Sequence, residues 1–373
     1  MSDCNIKEIY SAILKEELIP AMGCTEPIAI AYAGAIIKDT LQTIPDTLEL
    51  VISGNIIKNV KSVIVPHTGG RKGIATAIAA GICYGRADCG LEVLSATSEA
   101  QTAMLDRFLE NTRLTIKESD ASCPFDIQVS ASDKNNTAYV RIIGKHTNVV
   151  SIRLNDKVLL EKPYEDKIIQ AAQNRKLLTV KDIVEYAQTA DIDAVKDVLD
   201  RQIAYNSAIA QAGLNNNYGA NIGSILLASY GDNIQNRAKA YAAAGSDARM
   251  NGCELPVVIN SGSGNQGITA SVPIIEYAKH CKASEEQLYR ALIVSNLVTI
   301  HLKTEIGCLS AYCGATSAGA GAGAGVCYLY GGGYDEIAHT IVNALAINSG
   351  MVCDGAKASC AAKIASAVEA GLL

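Results

Sequence analysis

Tryptophan is absent from this 373-residue chain, and phenylalanine occurs only twice against sixteen tyrosines. With so few large apolar rings, alanine, glycine and aliphatic side chains must do the packing, which favours helices that approach one another closely. Basic runs are also missing and the formal net charge is −6, which together argue against a nucleic-acid or anionic-membrane partner. No stretch of eighteen apolar residues is free of charge apart from the Gly/Ala tract around 314–330. That tract is too rich in glycine to read as a membrane span. Residues 1–15 lack the apolar core of a secretory leader, so a soluble cytoplasmic protein is expected. Hydrophobic residues at 49% and charged residues at 19% describe a folded chain, long enough for two sizeable cores.

What the chain has in quantity is cysteine. It carries twelve, and five fall in the last seventy residues: Cys308, Cys313, Cys327, Cys353 and Cys360. Without secretion these thiols stay reduced, so a disulfide framework is not expected. Most read as small buried hydrophobes, and a few are candidates for metal or cluster ligation.

Patterning divides the chain into an α+β part and a helical part. Two helices are expected before residue 42, the second opening at Pro27 with Thr25 as its cap. Alternating, β-branched runs predict strands at 48–53, 62–66, 114–117, 125–129, 138–143 and 149–153, with a helix near 73–85 between them. Their pattern fits a mainly antiparallel sheet with one solvated face. From Asp166 the period becomes helical, through 167–174, 180–188, 192–213, 223–244, 284–300, 314–330, 334–348 and a terminal helix. The expected domains are therefore 1–165, α+β, and 166–373, all-α, with the helical residues 1–45 able to pack on the latter.

Five places are candidates for chemistry. Cys353 and Cys360 are seven apart, which on one continuous helix separates their Cα atoms by about 10.5 Å. A turn at Cys353, with Asp354 or Ser359 capping the helix, shortens that distance. The spacing matches neither a zinc motif nor the ferredoxin run, and fits two incidental thiols as well. Cys313 enters a small-residue helix, where the helix start lowers a thiol pKa, although a packed Ala/Gly helix needs no such role. Cys24 likewise precedes a proline-initiated helix whose open N–H groups favour a thiolate or an anion. Ser261, Gly262, Ser263, Asn265 and Gln266 form either an anion-binding loop or a plain tight turn, without the lysine of a P-loop. His67 and His146, each at a strand end, are candidates for proton transfer or carboxylate binding, or for structural hydrogen bonds only.

Five segments taken in order, Gly23–Pro27, Ser246–Met250, Asn260–Thr269, Leu309–Cys313 and Ser349–Ala356 with Cys360, resemble the L-cysteine desulfidase family. That family is related to the iron–sulfur L-serine dehydratases. The resemblance implies an oxygen-sensitive 4Fe–4S cluster held by Cys313, Cys353 and Cys360, with the fourth iron open. It implies β-elimination of sulfide from L-cysteine, giving pyruvate, ammonia and hydrogen sulfide, as part of cysteine catabolism. Cys24 is then the candidate base, with His146 or His67 behind it, and the Ser261–Gln266 loop holds the substrate carboxylate. A pyridoxal-phosphate route to the same products lacks a convincing lysine and phosphate cradle here. L-serine dehydration and a non-catalytic cluster- or zinc-binding role are the competing readings, and a homodimer is compatible with the sequence.

Overall fold

The computed structural model describes residues 3–95, 99–164, 174–307 and 309–373. The expected helix at 167–174 thus lies almost wholly outside the described residues, as does Cys308. The chain forms two compact units. One comprises 1–20, 170–353 and 358–373, and the other 21–169 with 354–357.

The second unit is built on a six-stranded sheet. Its strands are β2 (Thr47–Ile52), β3 (Arg113–Glu118), β4 (Asp126–Ser132), β5 (Thr137–Ile143), β6 (Val149–Leu154) and β7 (Lys157–Glu161), after a short β1 (Pro20–Met22) at the junction of the units. Their order is β3-β2-β4-β5-β6-β7. Every neighbouring pair runs antiparallel except β2 and β3, so the sheet is mixed. Alternation does what it should: along β5, Ala138, Val140 and Ile142 are buried while Tyr139 and Arg141 are half-exposed. Helix α2 (Thr25–Leu41) lies on β4 and β5 and packs against α4 (Ile74–Tyr84). A Cβ on Gly81 would stand 1.9 Å from the carbonyl oxygen of Ala31, so only glycine admits this helix pair. Helices α3 (Gly54–Val60) and α5 (Glu99–Asn111) complete the crossover from β2 to β3.

One expected strand is missing. Residues 62–66 make only an isolated bridge, Ile64 to Lys72, although Val63 and Val65 are fully buried. The segment follows α3 directly and runs into Pro66 and two glycines with positive φ, so it becomes a buried loop.

The first unit is helical, with one short strand, β8 (Pro256–Val258). After α1 (Asp3–Glu17) come α6 (Val180–Thr189), α7 (Lys196–Asn215), α8 (Ile222–Tyr230), α9 (Ile234–Met250), α10 (Gly264–Cys281), α11 (Glu285–Thr304), α12 (Gly314–Leu329), α13 (Tyr334–Ile347) and α14 (Cys360–Leu372). The expected helix at 223–244 is two helices, because Gly231 turns the chain at φ +79° and Asn233 caps the next one through the Asn236 N–H. The Gly/Ala tract is α12, buried among α10, α11, α13 and α14. A Cβ on Gly323 would come within 2.2 Å of the Gly371 carbonyl oxygen on α14. Backbone proximity of this kind is the use to which the glycine-rich composition is put.

Candidate active site

In the sheet-bearing unit the central group is Glu26. Cys24, not Thr25, is the N-cap of α2, with extended φ −76° and ψ 131°. Glu26 therefore sits in the first turn and accepts three side-chain donors. Cys24 Sγ donates to Oε2 at 3.0 Å, Thr25 Oγ1 to the same oxygen at 3.2 Å, and Asn59 Nδ2 to Oε1 at 2.9 Å. Burial pushes the Glu26 pKa up, but the charge of His146 and the bonds from Cys24, its own N–H and Asn59 outweigh it. The carboxyl is held below its ordinary range. His146, in the turn between β5 and β6, is buried with its ring edge-to-face to Phe125 at 4.6 Å. Cys24 and His146 thus share one carboxylate. The thiol donates to that anion, and this opposes the thiolate expected from the helix start alone. His67 occupies the loop between α3 and α4 at φ +56°, its carbonyl accepting from Tyr84 at 3.0 Å.

In the helical unit the residues 260–263 form a two-residue turn. Asn260 and Ser263 exchange backbone hydrogen bonds at 3.1 and 3.0 Å, with φ +49° at Ser261 and +78° at Gly262. Both positive values identify a type I′ geometry, and Ser263 then caps α10. The turn is therefore tight, and it also opens an 18-residue helix. Buried amides hold it from below: Asn260 Nδ2 donates to Asn296 Oδ1 at 2.9 Å, and Gln202 Nε2 donates to the same oxygen at 3.0 Å.

Above the turn lies Arg249, the penultimate residue of α9 and 2% exposed. Its Nη1 donates to Asn265 Oδ1 at 3.1 Å, and its Nε would stand 2.2 Å from a Cβ on Gly264. No carboxylate pairs with it among the described residues, and Nε has no hydrogen-bond partner. Gln266 is 4% exposed, with Oε1 also lacking a partner, and its carboxamide rests on Gly314. Sequence reasoning passed over Arg249. A lone arginine in the small-residue stretch Ala242–Met250 was the available signal, since such a helix is usually buried.

Gly314 is the first residue of α12, and Cys313 is its N-cap. Cys313 N donates to the Met351 carbonyl at 3.0 Å and Cys353 N to the Ala311 carbonyl at 2.7 Å, around an antiparallel bridge between Tyr312 and Val352. These two cysteines are thereby on adjoining segments. Cys360 is the first residue of α14, and Lys363 one turn later donates to the Val352 carbonyl at 3.0 Å. Burial raises the Cys313 pKa, and Cys353 adds to this; the Ala315 N–H, Lys363 and the buried Lys303 pull the other way. The ten described cysteines form no disulfides. Among the described residues no three His, Cys, Asp or Glu side chains are grouped to hold a metal ion. No described helix is long and apolar enough to cross a membrane.

The profile of the serine dehydratase alpha chain matches residues 88–373, which include Cys313, Cys353 and Cys360, the 261–266 turn and Arg249 but not Cys24 or Glu26. The chain is 56% identical to a UPF0597 protein of Desulfitobacterium hafniense over 366 residues, 98% of this chain and 85% of that one. It is 50% identical to a UPF0597 protein of Lachnoclostridium phytofermentans over 361 residues, 97% and 86% of the two chains. A UPF0597 protein of Treponema denticola matches at 46% over 371 residues, 98% and 86%. The chain belongs to the serine dehydratase alpha chain family.

Proposed function

We propose that the protein is a lyase that eliminates the β-substituent of a small L-amino acid, with L-cysteine as substrate and sulfide as leaving group. The observation that carries this reading is the pairing of Cys313 and Cys353 on adjoining segments beside Lys303 and Lys363. Two lysines and a helix start favour an anionic, thiolate-bound group at that place. The donor set of Cys313, Cys353 and Cys360 fits a 4Fe–4S cluster in its chemistry. When bound, such a cluster supplies Lewis acidity at an iron not held by protein, toward a departing thiol or hydroxyl.

The chain's own residues would do the rest. The turn from Ser261 to Gln266 receives the substrate carboxylate at the start of α10, where the open backbone amides of the helix can donate. Loss of the α-proton is assigned to the Cys24–Glu26–His146 group, since Glu26 is an ionised acceptor already in contact with the Cys24 thiol. Elimination of hydrogen sulfide leaves aminoacrylate, and water converts this to pyruvate and ammonia.

Dehydration of L-serine is the second reading, favoured by the family match itself. Anaerobic reconstitution with iron and sulfide, followed by pyruvate assays with L-cysteine and L-serine side by side, decides between them. Turnover of cysteine at a kcat/KM at least tenfold that for serine supports the desulfidase. The reverse ratio makes it a serine dehydratase, and no turnover of either removes the lyase reading.

A further inference from the structure

Four buried polar atoms of the helical unit lack partners among the described residues: Ser246 Oγ, Arg249 Nε, Gln266 Oε1 and Thr316 Oγ1. They are not scattered. Ser246 and Arg249 lie three apart on the last turns of α9, Gln266 is in the first turn of α10, and Thr316 is in the first turn of α12. Helix α10 packs against both α9 and α12, Arg249 touches Asn265, and Gln266 rests on Gly314. An unmatched buried donor or acceptor is costly, and a buried guanidinium with no anion is costlier still. Folds retain such groups where a ligand completes them.

We infer that these atoms are the α-amino-acid recognition site, with Arg249 binding the carboxylate and Gln266 Oε1 accepting from the ammonium. The inference rests on the proposed lyase reading for its choice of an amino acid, and adds to it the residues that read the substrate's two common groups. The orphan set has the matching polarity. Arg249 Nε is a donor with a full positive charge, suited to a carboxylate. Ser246 and Thr316 carry hydroxyls that can donate to the same anion. Gln266 Oε1 is an acceptor only, so it selects a donor, and an ammonium is the donor an amino acid brings. Asn265 fixes the guanidinium through Nη1 and is thus a positioning residue here. A 2-hydroxy acid satisfies Arg249 but offers Gln266 Oε1 a neutral hydroxyl donor in place of a charged ammonium, and this weaker hydrogen bond builds selection for the amino acid.

Calorimetry on the full chain, anaerobic and both before and after cluster loading, tests this with unreactive probes. L-alanine has both groups and nothing to eliminate, while L-lactate replaces the ammonium by a hydroxyl. Wild type should bind L-alanine at least tenfold more tightly than L-lactate. Gln266→Leu should bring the two affinities within threefold of each other, and Arg249→Met should abolish binding of both. Arg249→Lys should restore part of the L-alanine affinity, and serves where Arg249→Met does not fold. Undiminished L-alanine binding by either Arg249 variant overturns the inference, as does an unchanged alanine-to-lactate ratio in Gln266→Leu. Failure of L-alanine to bind wild type in either state also overturns it, the orphan atoms then holding buried water only. The lyase reading stands or falls separately. L-alanine binding without turnover of cysteine or serine would remove that reading and keep this site, and cysteine turnover with a wild-type KM in Arg249→Lys would do the opposite.

Discussion

Two buried charges, one in each unit, are treated in opposite ways. Glu26 is surrounded by three side-chain donors and the charge of His146, and its ionised form is favoured despite burial. Arg249 is more deeply buried, at 2% against 8% exposed, yet among the described residues it has one hydrogen bond to a neutral amide and no anion. A satisfied buried ion stabilises the state that contains it, while an unsatisfied one stores a cost that a ligand can release. The sheet-bearing unit thus holds a buried charge that its own side chains answer, whereas the helical unit holds one that they do not answer among the described residues.

The largest effect is expected at the cysteines of the helical unit. Cys313→Ala, Cys353→Ala and Cys360→Ala should each lose most of the iron and nearly all turnover after anaerobic reconstitution, while Cys327→Ala, within α12, should keep both. Iron analysis beside the visible absorption spectrum reads this directly. Full iron retention in all three variants would remove the ligand assignment. Air exposure should bleach the reconstituted wild type.

Next comes Cys24. Its thiol donates to Glu26, so Cys24→Ser preserves the hydrogen bond but replaces the thiol by a hydroxyl far less able to ionise near neutral pH. Turnover should drop by roughly a hundredfold or more with iron content unchanged, in line with losing a general base. Loss of iron would instead make Cys24 a ligand, and normal turnover would pass the role to His146.

These residues also show how much the chain disclosed by itself. Strands at 125–129 and 138–143 were legible because one face of the sheet is buried there and the other is not, which imposes a period of two. Those at 114–117 and 149–153 were read from their β-branched residues, since neither alternates in burial. The run 62–66 has the same β-branched residues but no neighbouring strand, and composition cannot supply a partner. Cys24 and His146 could each be singled out from their neighbours, but their meeting at Glu26 depends on a turn about 120 residues away folding over α2, and no local pattern encodes that. Arg249 was hidden differently. It lies inside a quoted motif, but sequence shows only that an arginine is present, not that its carboxylate is missing.

A smaller effect, and one of stability, is expected at Glu26. Glu26→Gln removes the charge that His146 faces and leaves an amide N–H among donors, at a cost of about 1–3 kcal/mol in urea unfolding at pH 7. The sign of its pH dependence follows from the lowered pKa. A carboxyl depressed in the folded state contributes fully above its ordinary value of 4.5, and that contribution is lost as pH falls through the lower folded value. The gap between wild type and variant should hold constant from pH 7 to 5 and close in more acid solution. A gap that widens on acidification would mean that Glu26 is neutral when folded.

The smallest effect is expected from the opposite charge. Arg249→Met keeps the length and apolar stem of the side chain but discards a guanidinium that no anion satisfies among the described residues. Replacing a buried ion by an apolar side chain of similar volume is often neutral or stabilising. Asn265 loses one donor, but it is only half-buried and water can replace it. Unfolding free energy without ligand should therefore stay within about 1 kcal/mol of wild type or rise above it. L-alanine should raise the melting temperature of wild type and leave that of the variant unmoved. A ligand-free loss of about 3–5 kcal/mol, the cost of breaking a buried pair, would reveal an anionic partner in the folded chain and erase the contrast with Glu26.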